Sequence, residues 1–219
     1  SNVVEGCAFA DIAGNGISMG RAYEPPTTPP YAPADDRDVG EGDIIRDNFI
    51  TRVGSVYRGA VGIFAGYGRG ILLEHNEVTM LPYTGISLGW GWTNNPTPMR
   101  NNRIEGNRVT DVMQVLKDGG GIYTLSDQPN SVWRRNYIAR SGDHGIYPDE
   151  GTGHYQIERN VTELIANEWL HIWTPTIHEN TVDHCYTDNN RLLNNGTNCP
   201  VTNTPHHPNR DQPAEPLAT

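Results

Sequence analysis

Ile104-Glu-Gly-Asn107-Arg-Val109 and Trp133-Arg-Arg-Asn136-Tyr-Ile138 write one unit twice: an apolar residue, Asn three positions on, and an apolar residue two further. Each copy leads into the same triplet, Gly121-Ile122-Tyr123 and then Gly145-Ile146-Tyr147. Side chains alternate along a strand and Asn favours turns, so this spacing suits a short strand, a tight polar turn and the entry of the next strand. The unit recurs. With the turn residue at Cys7, Asn48, Asn76, Asn107, Asn136, Asn160 and Asn180, an apolar residue stands three before each, from Val4 to Ile177. A second series follows at Ile17, Ile63, Ile86, Ile122, Ile146 and Ile172, its first five members preceded by Gly. Anchors that agree while the spacing between them varies predict a solenoid with unequal loops. In stacked coils an inward Asn can bond backbone groups of its neighbour and form a ladder. Parallel strands lie about 4.8 Å apart, so residues some thirty positions apart in sequence become neighbours.

The expected fold is therefore all-β, a parallel β-helix over residues 1–190. A Pro-rich and acidic loop excursion over 20–43 interrupts it, and an extended Pro- and Asn-rich tail follows over 191–219. Composition agrees: 24 Gly, 16 Pro and 36% hydrophobic residues fit many short strands and turns better than a helical bundle. A net charge of −10 argues against a nucleic-acid surface, which needs clustered Lys and Arg. No window reaches the length of a membrane span. The three cysteines, Cys7, Cys185 and Cys199, are an odd number and define no scaffold, although Cys185 and Cys199 could close a loop if the protein is secreted. The sequons at Asn160 and Asn195 lend weak support to secretion.

Acidic residues flank both Gly-Ile-Tyr triplets: Asp118 before the first, Asp149 and Glu150 after the second. Glycoside hydrolysis needs two carboxyl groups with different tasks, one protonating the leaving oxygen and the other attacking the anomeric carbon or activating water. Asp118 and Asp149, with Glu150 in support, supply such a set from adjacent coils. Asp118 lies four before Ile122 whereas Asp149 lies three after Ile146, so the pair meets only if Asp118 sits on a bulge or loop that folds back. Upstream, Trp90 and Trp92 in Gly-Trp-Gly-Trp offer aromatic platforms for the apolar face of a sugar. Tyr83, Tyr123 and Tyr147 could donate hydrogen bonds to hydroxyls, and His144 could orient a carboxylate or a sugar. No metal-ligand spacing stands out among the later histidines. No cofactor is expected, and a structural calcium on the Asp149–Glu150 turn stays open.

Asp118-Gly-Gly-Gly-Ile-Tyr-Thr-Leu, Tyr83-Thr-Gly-Ile-Ser-Leu-Gly-Trp-Gly-Trp, Glu74-His-Asn-Glu and Gly145-Ile-Tyr-Pro-Asp-Glu-Gly together resemble secreted right-handed parallel β-helix proteins akin to glycoside hydrolase family 141. That resemblance implies an extracellular or cell-surface carbohydrate-active enzyme of the α-L-fucosidase or xylanase type, whose acids match Asp118 and Asp149. Members are longer, which makes this chain resemble a C-terminal portion that associates with the rest of a longer β-helix. The expected partner is a plant or microbial polysaccharide or oligosaccharide. Two other readings stand beside hydrolysis: a non-catalytic glycan-binding or structural surface protein, and a polysaccharide lyase on the same fold. The lyase would need a cationic base or calcium, and no Lys or Arg cluster stands beside the acids.

Overall fold

The computed structural model describes residues 1–22, 33 and 35–206. Strand after strand lies parallel to its equivalent in the next coil, which makes three sheets running the length of a parallel β-helix, as the repeat pattern predicts. Among the described residues the first sheet has eight strands, from Val3–Glu5 to Val201–Thr202. The second has seven, from Ala8–Ala10 to Tyr186–Thr187, and the third seven, from Ile17–Met19 to Leu192–Asn194. The helical content there is one 3-10 turn at Asp36–Asp38, and no helix is long and apolar enough to cross a membrane.

The two anchors per coil pair as like with like. Ile104 lies between Leu73 and Trp133 in the first sheet, and Val109 lies between Val78 and Ile138 in the second. Ile122 lies between Ile86 and Ile146 in the third. All nine are fully enclosed, and each inward aliphatic side chain contributes roughly 1.5–3 kcal/mol of burial. Glycine precedes the third-sheet anchor because the corner is too tight for a side chain. A Cβ on Gly85 would stand 2.4 Å from Val109 Cγ1 and 2.7 Å from the Gly121 carbonyl oxygen.

Between the first and second sheets the Asn ladder forms as predicted. The backbone N–H and side-chain amide of Asn107 both donate to Asn136 Oδ1 at 3.0 Å, and the amide also donates to the Leu73 carbonyl at 2.9 Å. The same pattern links Asn48 to Asn76, Asn76 to Asn107 and Asn136 to Asn160. One end is capped by Cys7, whose N–H donates to Asn48 Oδ1 at 3.0 Å.

Two rungs differ from the sequence expectation. Ile157 pairs with Val182, and the Asn160 amide faces Cys185 Sγ at 3.8 Å, so Cys185 rather than Asn180 is the seventh turn residue. Asn180 lies at a different corner, where it accepts from the Tyr155 N–H at 3.0 Å and donates to the Thr152 carbonyl at 2.9 Å. In the third sheet Ile146 pairs with Leu170, and Ile172 lies two residues beyond the expected rung. Trp169 thus fills the slot that Gly holds in the five earlier coils, an exception that the Gly-Ile pattern hides.

Cys185 and Cys199 are both free thiols. They close separate polar columns, Cys185 under Asn160 and Cys199 under Asn180, and the loop closure open to them on sequence grounds is not formed. Asn160 is fully buried in its ladder, which removes it as a glycan acceptor. The coils also run past residue 190: Leu192–Asn194 pairs with Leu170–Ile172, and Val201–Thr202 pairs with Thr181–Asp183. Residues 207–219 of the expected tail, and 23–32 and 34 of the expected loop excursion, lie outside the described residues. Within that excursion Gly40–Glu41 pairs with Gly68–Arg69 as a short fourth sheet.

Candidate active site

The third sheet turns alternate residues outward, and there the column Phe64, Ser87, Tyr123 and Tyr147 is aligned by strand register. His171 continues it one position past the Ile146–Leu170 pair, with its ring 4.7 Å from that of Tyr147. Residues from the turns at both ends of these strands line the sides of a groove, among them Asn15 and Tyr83 at one end and Trp90 and Trp92 at the other. The groove holds two adjoining cavities of about 470 and 500 Å³, and Trp92 lines both.

The larger cavity is lined by Trp92, Asp118, Tyr147, Asp149, Glu150, His171 and Trp173. Asp149 follows the strand His144–Pro148, is 7% exposed, and has a donor on each carboxylate oxygen. Tyr123 Oη donates to Oδ2 at 2.5 Å and Trp173 Nε1 to Oδ1 at 2.6 Å. The three come from successive coils, so the stacking itself assembles this cradle.

Asp118 reaches the same cavity from the opposite end of the sheet. Its turn has a positive φ of 61°, its N–H donates to Asp143 Oδ2 at 2.7 Å, and its carbonyl accepts from Tyr83 Oη at 2.6 Å. These contacts fold the longer Asn107–Ile122 segment back over the groove. Tyr147 Oη donates to Asp118 Oδ1 at 3.2 Å. Burial raises the Tyr147 phenol well above its ordinary pKa, and the nearby charges of Asp149 and Asp118 raise it further. Burial raises Tyr123 likewise, with Asp149 adding to it. Both phenols therefore stay protonated as donors. Glu150 borders the cavity, and burial followed by the adjacent Asp149 charge lifts its carboxyl above the usual carboxylate range.

The smaller cavity is lined by Phe64, Tyr83, Trp90, Trp92 and Tyr123, among others. Trp90 and Trp92 meet edge to face with ring centroids 4.7 Å apart, and Phe64 backs Trp90 at 5.9 Å. Trp92 is 38% exposed, a flat apolar surface open to a ligand.

His144 lies beneath the groove floor rather than on its surface. Its ring stacks on His171 at 3.8 Å, and its Nδ1 lies 2.9 Å from Glu168 Oε2. Burial, and then the neighbouring His171, lower its pKa, and it is His171 rather than His144 that lines the cavity. Sequence reasoning also missed Trp173. The signal was present: once Leu170 is taken as the rung beside Ile146, Trp173 falls at the same offset as Asp149, three residues on.

A comparison with curated proteins returned no match. A solved structure titled "Glycoside hydrolase" is 33% identical, with a TM-score of 0.73 over 92% of this chain. This chain spans 32% of that protein. A family model described as "Right handed beta helix region" matches residues 39–205. Three parallel sheets, the stacked Asn turns and this match agree: the chain belongs to the right-handed β-helix family.

Proposed function

We propose that this chain carries the catalytic groove of an extracellular glycoside hydrolase acting on a plant or microbial polysaccharide, in the manner of glycoside hydrolase family 141. The observation that carries the reading is the meeting of Asp118 and Asp149, from neighbouring coils, in one cavity walled by Trp92 and Trp173. Likeness to the solved glycoside hydrolase supports the substrate class.

Asp149, with each oxygen fixed by a donor, is the carboxylate suited to attack the anomeric carbon or to activate water. Asp118 stands on an exposed turn and holds one donor from Tyr147, which leaves it free to protonate the glycosidic oxygen. Tyr147 lies between them and can follow charge as it passes from one side of the sugar to the other. Glu150 supports Asp149 as a second acid. Trp92 and Trp173 border the reacting sugar ring, and Trp90 extends the stacking surface into the adjoining subsite.

The test is reducing-end release from a panel of polysaccharides, with Asp118→Asn and Asp149→Asn as variants. Each should abolish turnover while circular dichroism and the melting midpoint stay at wild-type values; full activity in both would refute the assignment. Glycan binding without product would instead mark a non-catalytic binding protein, and unsaturated, ultraviolet-absorbing products would mark a lyase.

A further inference from the structure

At the corner leading from the third sheet into the first, three successive coils bring Asp127, Gly153 with His154, and His178 side by side. Asp127 pairs with Gly153, and Gly153 bridges to His178. Backbone bonds fix all three: Asp127 N–H to the Thr93 carbonyl, His178 N–H to that of Thr152, and His154 N–H to that of His178. The middle coil has no side chain at the point of contact. A Cβ on Gly153 would lie 2.6 Å from His178 Nε2 and 2.7 Å from Asp127 Oδ1, so glycine keeps open a gap between them. His154 follows in a left-handed conformation, φ 61°, that swings its ring to the same gap.

Three donor atoms converge there. His154 Nδ1 is 2.7 Å from Asp127 Oδ1, and His178 Nε2 is 3.9 Å from that oxygen. His178 Nε2 is buried and has no hydrogen-bond partner among the described residues, whereas Asp127 has only 9% of its side chain exposed. An imidazole ligates through a lone pair in the ring plane, so two histidines share an ion only if their planes cross at it. The rings of His154 and His178 are 87° apart, with centroids separated by 5.2 Å. Two imidazoles on one tetrahedral ion, at 2.0–2.1 Å from each nitrogen, have centroids about 5 Å apart and donor atoms about 3.3 Å apart. By contrast, His144 and His171 stack at 3.8 Å with planes only 21° apart, so their lone pairs run side by side and do not meet.

We propose that Asp127, His154 and His178 form a binding site for a zinc-like divalent transition ion, with water in the fourth position. Two nitrogens and one carboxylate oxygen select zinc over calcium, which takes oxygen ligands in larger number. The ion would clasp the three coils that also carry Tyr123, Asp149 and Trp173, each four or five residues before a ligand, and so would hold the Asp149 cradle in place. The metal site stands independently of the hydrolytic reading, because ion binding is measured without substrate.

The test uses the whole chain stripped with a chelator and titrated with zinc by calorimetry, with bound metal counted by elemental analysis. One equivalent should bind, raise the melting midpoint and, as cobalt, give the visible absorption of a tetrahedral site. His154→Ala touches a half-exposed side chain and should leave the fold intact; it and His178→Gln should weaken binding by more than the ~10–100-fold typical of losing an outer-shell partner. His171→Gln should retain the full equivalent. Absence of saturable binding, wild-type affinity in His154→Ala, or loss in His171→Gln instead would overturn the proposal.

Discussion

Replacing Asn107 by Ala tests whether the inward amide ladder holds the coils together. Asn107 makes four side-chain bonds: its amide donates to Asn136 Oδ1 and the Leu73 carbonyl, and its Oδ1 accepts from the N–H and the amide of Asn76. The substitution leaves the buried Asn76 N–H without its acceptor, which costs about 1–3 kcal/mol, and removes three further bonds at roughly 0.5–1.5 kcal/mol each. The expected loss is about 2.5–7.5 kcal/mol, a large part of the 5–15 kcal/mol typical of a folded domain. Arg108→Ala, one residue away, removes the exposed pair with Glu77 at 3.0 Å and should cost less than about 1 kcal/mol. Urea denaturation followed by circular dichroism measures both. An Asn107→Ala loss below about 1 kcal/mol, or no greater than that of Arg108→Ala, would remove the ladder from the account of stability.

Two further outcomes are expected. Cys7 is exposed while Cys185 and Cys199 are buried, with burial raising both of their thiol pKa values, so a thiol reagent should titrate Cys7 quickly in the native protein and all three cysteines after unfolding. Fewer than three in denaturant would mean a disulfide. His144 is held below the ordinary imidazole pKa by burial and by His171, so the unfolded chain takes up this proton more readily than the folded one. Stability from this group is full above about pH 6.5 and is lost as pH falls through the depressed folded value. The melting midpoint of wild type should therefore drop more between about pH 7.5 and about pH 5 than that of His144→Gln; equal slopes would contradict this.

The architecture was legible because each anchor repeats with its physical reason attached. Asn107 and Asn136 needed an inward turn, and Gly121 and Gly145 needed a corner without a side chain. Reading failed where the last coils changed the residue while keeping the position, as with Cys185 for Asn160 and Trp169 for Gly145. The acids of the groove were legible from their flanking positions. Their meeting was not, because it depends on the turn at Asp118 and its bonds to Tyr83 and Asp143. Trp173 was lost with the rung that locates it. The Asp127, His154 and His178 cluster leaves no linear motif, since its members fall on three coils and the gap between them is a glycine.

Successive ladder residues are separated by 41, 28, 31, 29, 24 and 25 positions, from Cys7 to Cys185, yet the strands stay in register. Length added to one turn of the spiral thus leaves its pitch unchanged, because the extra chain leaves at a corner and returns to the same frame. Such a scaffold can lengthen or trim the rim of its trough without renegotiating its interior, so ligand choice can drift among descendants while the spine stays fixed. Grafting segment 89–95, which carries Trp90 and Trp92 of the groove wall, between relatives should then change what the groove binds more readily than it alters folding, as binding assays and melting midpoints on the same grafts would read.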